Sequence, residues 1–584
     1  MIQPNPGQII FTDRARCRDC YRCLRVCPVK AIRVRGGQAF VEERLCIACG
    51  RCVRECPQGA KNYRNDIERA IETVREGGAK CAVTLAPSFA GLWPDWGRKR
   101  LPSALRKMGF AYVAETAVGA YPVALSCKEW ALAHPKKANF ATACPVVVNY
   151  VESYRPDLVS RLIPYASPMI AHARSLKRRL GPEWKVVFIG PCLAKKYEAQ
   201  KELVNRSVDV VLTFEELKSW MEREKIDLAH CEESLFDESP DLQARLFAMS
   251  GGLMKTASWG SEGFDVERIA VSGYEELKEL FNDIEQRDRP IFVEPLFCSQ
   301  GCLNGPGLPK KDAGSSITRR QALLEYTKES IPQGKRVELL PEDLQTEYRP
   351  HPIESEEIPE MKIREMLEKT GKGRPEDQLN CGACGYDSCR DKAIAVIRGL
   401  AEPEMCIPAM RRLAERRTDR IIETSPNGLV ILDEHLSILS MNEAFRHFFM
   451  CSDAVLGKPI SYLMDPEPFE NLASGIADKV EATVSHKSYS LICHEILYAL
   501  PEAKQYVGIF VDITRAQTSQ KKLEEIKTQA VVQAKELLEH QTRMAEKIAQ
   551  FLGESTAQGE DLVRKLLQIA GDKRVEESKT RKEG

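Results

Sequence analysis

The chain is 584 residues long and 43% hydrophobic, with 84 basic and 84 acidic side chains. That length predicts several cores, and the balanced charge excludes a global field that would draw the chain to nucleic acid or to an anionic membrane surface. No apolar run nears the roughly 18 residues of a membrane span and no apolar signal segment follows Met1, so the 21 cysteines are expected in a reducing cytoplasm.

The first expected domain, residues 1–66, holds two copies of C-x2-C-x2-C-x3-C-P: Cys17, Cys20, Cys23 and Cys27, then Cys46, Cys49, Cys52 and Cys56. Closely spaced thiolates can cap one face of an iron–sulfur cube. Two zinc sites or a disulfide scaffold are the other uses of eight such cysteines. The repeated spacing, with proline after each fourth cysteine, resembles the two-cluster bacterial ferredoxins. That resemblance implies one [4Fe-4S] cluster on Cys17, Cys20, Cys23 and Cys56 and another on Cys46, Cys49, Cys52 and Cys27, carrying single electrons.

A helix from Ile67 to Arg75 and the pair Gly77-Gly78 lead into an expected α/β domain over residues 79–330. Here apolar runs (CAVTLAPS, KVVFIGPC, VDVVLTF, PIFVEPLFC) alternate with helical stretches. Four cysteines, Cys144, Cys192, Cys298 and Cys302, sit beside prolines or in glycine-rich loops after apolar strands. Loops at the carboxyl ends of parallel strands are where α/β folds place chemistry. A lone buried cysteine is usually inert packing, but four thiolates suffice for one cube.

Taken together, Thr142-Ala143-Cys144-Pro145, Gly190-Pro191-Cys192 with Lys195 and Glu198, and Glu294 through Cys298 to Gly301-Cys302 resemble the three active-site motifs of the [FeFe]-hydrogenases, written T-S-C-C-P, M-P-C-x-x-K-x-x-E and E-x-M-x-C-x-x-G-C. The resemblance implies an H-cluster: a [4Fe-4S] cube on the four cysteines, with Cys302 bridging to a di-iron unit bearing CO, cyanide and a dithiolate. The implied reaction is reversible interconversion of dihydrogen with protons and electrons, chemistry that the cofactor supplies. The same resemblance implies that Lys195 donates to one cyanide, that Ser88 and the backbone of Ala86-Pro87-Ser88 serve the other, and that Pro168 lines the pocket. An ordinary surface lysine is the other reading of Lys195.

Departures cluster around the di-iron position. Ala143 stands where the family's proton-relay cysteine precedes the ligand, and alanine cannot carry a proton. Alignment on Gly119 puts Cys127 and Trp130 where the relay has glutamates, with Glu129 one residue off and Cys127 offering another route. Gly190 and Leu296 replace two methionines and Met169 a glutamine. Sulfur contacts and a hydrogen-bond donor are thereby removed, which predicts altered potentials and slow turnover.

A polar, proline-punctuated connector spans 331–360, and a four-cysteine module follows at 361–412 with Cys381, Cys384, Cys389 and Cys406 in C-x2-C-x4-C-x16-C. The module resembles a small [4Fe-4S] domain of redox chains, with structural zinc as the other reading. Residues 415–515 resemble a PAS domain, marked by Asn442-Glu443-Ala444-Phe445, Gly457 and an exit through Asp512-Ile513-Thr514. Its ligand is unknown; His447, Cys451, His486 and His494 are candidate haem or metal ligands, with solvated or packed roles expected for each. In the helical tail, 516–584, Leu523, Ala530, Leu537, Met544 and Phe551 repeat every seven residues. The companion seam (Ile526, Gln533, His540, Lys547) turns polar, so one helix packed on its own chain competes with a homodimeric coiled coil.

The chain therefore reads as a multidomain α/β and α+β protein: ferredoxin-like domain, H-cluster domain, small [4Fe-4S] domain, PAS domain and helical tail. The resemblances imply a hydrogen- or redox-sensing hydrogenase of low turnover whose output lies on a partner, a phosphatase or kinase. They also imply dependence on hydrogenase maturation proteins. A metabolic hydrogenase exchanging electrons with ferredoxin is the second reading. A non-catalytic iron–sulfur scaffold is the third, and retention of Lys195, Ser88 and Pro87 weighs against it.

Overall fold

A computed structural model describes residues 7–135, 138–201, 206–238, 240–259, 266–284, 290–309, 314–328, 337–354, 357–514 and 529–544. The chain divides into two compact units, Met1–Pro403 and Glu404–Gly584. The division falls inside the segment expected to form the four-cysteine module.

The N-terminal cysteines are carried by short elements: strand β1 (Ile10–Thr12), hairpin β2 (Ile32–Arg35) and β3 (Gln38–Val41), and β4 (Lys61–Tyr63), which pairs antiparallel with β1. Tyr21 and Gly50 hold left-handed backbone at equivalent places in the two repeats, each opening a one-turn helix that carries the third cysteine. A Cβ on Gly50 would lie 2.6 Å from the Pro306 ring, so this glycine lets the ferredoxin-like domain seat closely on the loop that carries Pro306.

Seven further strands build the next domain: β5 (Cys81–Leu85), β6 (Tyr112–Glu115), β7 (Ala138–Phe140), β8 (Lys185–Gly190), β9 (Val210–Thr213), β10 (Glu267–Ser272) and β11 (Ile291–Leu296). They form two parallel sheets, ordered β6-β5-β8-β9 and β10-β11-β7. β5, β8 and β11 are buried nearly end to end, as apolar runs covered on both faces should be. Helices Ala117–Ala133 and Pro168–Leu180 cross closely, because a Cβ at Gly119 would stand 2.7 Å from the Pro168 carbonyl oxygen.

The connector is a strap where it is described. Leu339 and Leu344 are buried, Asp343 pairs with Arg178 at 2.7 Å, and backbone bonds tie Leu344 and Thr346 to the 164–166 loop. Two buried apolar residues, one ion pair and two backbone bonds together pin a stretch that is otherwise polar. Beyond it, helices Glu360–Lys369 and Cys389–Ile397 pack through Ile363, Leu367 and Ala393. Their module seats on the ferredoxin-like domain: Arg25 donates to the Ala383 carbonyl at 3.1 Å, Lys30 to that of Gly385 at 2.7 Å, and the Val34 N–H to Leu400 at 2.9 Å.

The second unit holds a five-stranded antiparallel sheet. Its strands are β12 (Gly428–Leu432), β13 (Ile438–Met441), β14 (Lys479–His486), β15 (Leu491–Leu500) and β16 (Gln505–Asp512), ordered β13-β12-β16-β15-β14. Asn442 is fully buried; its side chain caps helix Glu443–Phe448 through the Phe445 N–H and also accepts from the Leu429 N–H. Among the described tail residues Ala530 is buried, packing with Ala534 on the outer face of this sheet. That favours the single packed helix at this point of the seam. Leu523, Ile526, Lys547 and Phe551 lie outside the described residues.

Candidate metal centre

Four thiols converge where strands of the two sheets end. Cys144 lies beyond β7 as the N-cap of helix Pro145–Tyr154, whose proline takes the first turn where no N–H is needed. Cys192 follows β8, and Cys298 follows β11. Cys302 sits in the turn Gly301–Asn304, entered through left-handed Gln300 and Gly301. A Cβ on Gly301 would come 2.8 Å from the Ala248 carbonyl oxygen, so only glycine fits.

Burial pushes the Cys192 and Cys302 thiols up to about 12, and the Cys144 and Cys298 thiols upward as well. After burial, the neighbours that raise Cys298 are Cys192, Cys144, Cys302 and then Cys49 of the ferredoxin-like domain. Four mutually close, half-buried thiols resist ionisation until a metal takes them. Cys49 and Cys298 also line one cavity together with Gly50, Tyr274 and Pro306.

A second cavity is lined by Cys192 and Cys302 and gathers Pro87, Ser88, Ala143, Pro168 and Lys195. Lys195 Nζ donates to Ser167 Oγ at 2.8 Å and to the Ala143 carbonyl at 3.5 Å, and pairs with Glu198 at 2.7 Å. Ser88 is fully buried in this wall, and its hydroxyl has no partner among the described residues. A buried hydroxyl left unpaired costs about 1–3 kcal/mol. It fits a bound group that presents a hydrogen-bond acceptor, as an H-cluster's cyanide would.

Phe188 and Ser167 were not legible as site residues. The Phe188 ring lines the cavity, and a Cβ on Gly190 would lie 2.6 Å from it. The room left where Gly190 replaces a methionine is therefore taken by an aromatic from two residues earlier. Met169 and Leu296 share the same wall, so one thioether remains there. The signal for Phe188 was its place on the strand that delivers Cys192.

Cys127 is buried in a separate apolar cluster with Val118, Ala141 and Phe292 and is not part of the cavity wall; Glu129 is exposed and Trp130 stacks on His134. Glu294, also buried, accepts from the N–H groups of Leu253 and Met254. Desolvation still lifts its carboxyl to about 7.

In the ferredoxin-like domain the thiols fall into two groups. Cys23 senses Cys20, Cys17 and Cys56, whereas Cys52 senses Cys46, Cys49 and Cys27, with burial the main cause of each upward shift. None of the 21 cysteines is in a disulfide. In the four-cysteine module Cys381 is exposed and Cys384 and Cys389 are half-buried, with the Asn380 side chain accepting from the Cys389 N–H at 2.7 Å. Cys406, in the second unit, is the buried N-cap of helix Ile407–Glu423.

The PAS-like candidates resolve simply. His486 bonds Glu495 at 2.5 Å, His494 bonds Glu481 at 3.1 Å, His447 is exposed, and Cys451 lies 3.8 Å from the Met441 sulfur. Both of these imidazoles thus already have carboxylate partners. Among the described residues no helix is long and apolar enough to cross a membrane.

Comparison with known proteins matches the family described as iron only hydrogenase large subunit, C-terminal domain, to residues 79–306. A 4Fe-4S dicluster domain matches 9–74, an Fe-S cluster family 377–408 and a PAS domain 416–482. The chain is 28% identical to the periplasmic [Fe] hydrogenase large subunit of Nitratidesulfovibrio vulgaris, over 52% of this chain and 87% of that protein. It is 25% identical to iron hydrogenase 1 of Clostridium pasteurianum, over 36% of this chain and 45% of that protein. It is also 25% identical to the cytosolic Fe-S cluster assembly factor narfl of Danio rerio, over 37% and 67%.

Proposed function

We propose that this chain, which carries an iron-only hydrogenase domain between a 4Fe-4S dicluster domain and a PAS domain, is a hydrogen- or redox-sensing hydrogenase of low turnover. The observation that carries its hydrogen-activating part is the cavity beside Cys192 and Cys302, where a buried Ser88 hydroxyl lacks a partner among the described residues. Cys144, Cys192, Cys298 and Cys302 would hold the cube of an H-cluster. Ser88 and Lys195 would donate to the cyanides of its di-iron unit, and Pro87, Pro168 and Phe188 would exclude water. When bound, that group supplies the reversible splitting of dihydrogen into protons and electrons.

Lys195 is oriented by Ser167 and Glu198 rather than left to swing, so its ammonium is presented to the cavity in one place. Ala143 offers a methyl group where a proton must leave, and the buried Cys127 stands outside the cavity wall; both support slow turnover. Electrons would pass by Cys298 and Cys49 to the cluster on Cys46, Cys49, Cys52 and Cys27, and to that on Cys17, Cys20, Cys23 and Cys56. The seat of the Cys381–Cys389 segment on Arg25 and Lys30 supports an electron exit from there toward that segment.

The PAS domain, ligand unknown, and the tail would pass that state to a cytoplasmic partner such as a phosphatase or kinase, either as a monomer or as a homodimer. Maturation proteins would deliver the di-iron unit. A metabolic enzyme exchanging electrons with ferredoxin gives the PAS domain no role in output. The scaffold reading, in keeping with the name of the Danio rerio Fe-S cluster assembly factor, leaves Ser88 unexplained. Deleting residues 415–584 should abolish hydrogen-dependent gene expression in cells while the purified protein still consumes hydrogen. Unchanged expression would refute the sensory role.

A further inference from the structure

Lys61 is 1% exposed at the start of β4, opposite Thr12 in the β1–β4 ladder. Its ammonium donates to Thr12 Oγ1 and, at 2.8 Å, to the Ala39 carbonyl. Among the described residues no carboxylate pairs with it. A lysine buried on neutral oxygens alone is strongly disfavoured, so a compensating negative charge belongs nearby. The groups that feel its charge are thiols, and they come from both sets: Cys23 from one, Cys46 and Cys52 from the other. A [4Fe-4S] cluster on four thiolates carries net negative charge, which grows by one when it accepts an electron.

We propose that Lys61 is the shared countercharge of the two N-terminal clusters, a positioning residue that raises the reduction potentials of both and so retains electrons in the ferredoxin-like domain. The inference rests on the assignment of those eight cysteines as cluster ligands. A fixed positive charge in a dry interior stabilises the more negative, reduced form, and charge, hydrogen bonding and exposure set the potentials of such clusters. Retained electrons suit a device that reports its reduction state more than one that passes current quickly. Sequence alone hides the residue, because a lysine beginning a short strand reads as solvated.

The test is an electron paramagnetic resonance titration of the full chain reconstituted with iron and sulfide, comparing wild type with Lys61→Met, Lys61→Gln and Lys61→Arg. Lys61→Met should shift both N-terminal clusters about tenfold toward the oxidised form at fixed potential, a fall of about 59 mV for one-electron couples. The remaining cluster signals should stay put, and Lys61→Arg should restore the wild-type values. Lys61→Gln, which keeps a donor toward Thr12 and Ala39, gives the same reading if the methionine variant loads poorly. Potentials unchanged in a loaded neutral variant, or a shift confined to one N-terminal cluster, would overturn the inference. Iron and sulfide analysis of wild type separates that from failure of the ligand assignment, which would show as missing N-terminal clusters.

Discussion

Ala143 and Glu294 are the residues whose chemistry is most open to test. Ala143 lines the cavity beside Lys195, and a thiol there would put a titratable proton carrier where the chain has none. Ala143→Cys in matured protein should therefore raise hydrogen evolution about a hundredfold, the lower end for a positioned acid–base group. Unchanged turnover would locate the slow step elsewhere. Glu294 is buried and its carboxyl is lifted from 4.5 to about 7. Its contribution to stability is fully present below pH 4.5, where folded and unfolded forms are both protonated, and is lost as pH rises through 7. The loss is about 3 kcal/mol. Glu294→Gln should flatten the fall in apoprotein thermal stability between about pH 5 and pH 7.5. An unchanged slope would show that the carboxyl ionises freely in place. At this scale the candidate cysteines stand out by motif spacing, and Lys195 and Ser88 by the resemblance that those motifs carry. Phe188 and Ser167 were not, because filling the room beside Gly190 and steering Lys195 are through-space roles.

Elements explain how widely separated cysteines meet. β7, β8 and β11 belong to two different sheets, yet all end toward the same place, each handing a cysteine to a loop or helix start. The alternation of apolar runs and helical stretches foretold parallel strands, but not their division into two sheets, since strand order depends on pairings that no local pattern encodes. The connector shows the converse. Its prolines and charges read as a connector, and where it is described Leu339, Leu344 and Asp343 anchor it to the helix beginning at Pro168. The four-cysteine segment is similarly anchored by long-range bonds to main-chain oxygens. Lys30→Ala removes the bond to Gly385 and the ion pair with Asp387 at 3.3 Å. It should weaken that seat by about 1 kcal/mol. Limited proteolysis of the full chain should then cut faster between 361 and 403; an unchanged rate would mean the remaining contacts suffice.

Over the whole molecule the order of modules was readable from cysteine spacing and from the Asn442 helix start, and the family matches fall in the same order. What spacing could not reveal was which module rests on which: the bonds from Arg25 and Lys30 reach more than 350 residues along the chain. That seat brings the Cys381–Cys389 segment onto the ferredoxin-like domain, the side from which electrons would leave in the proposed route. The central claim is that the Ser88–Lys195 cavity holds a di-iron unit in equilibrium with hydrogen. Infrared spectroscopy of the matured full chain under a hydrogen titration tests it directly. The account predicts CO and cyanide bands that change with hydrogen. A preparation with complete iron–sulfur content and no such bands would contradict it.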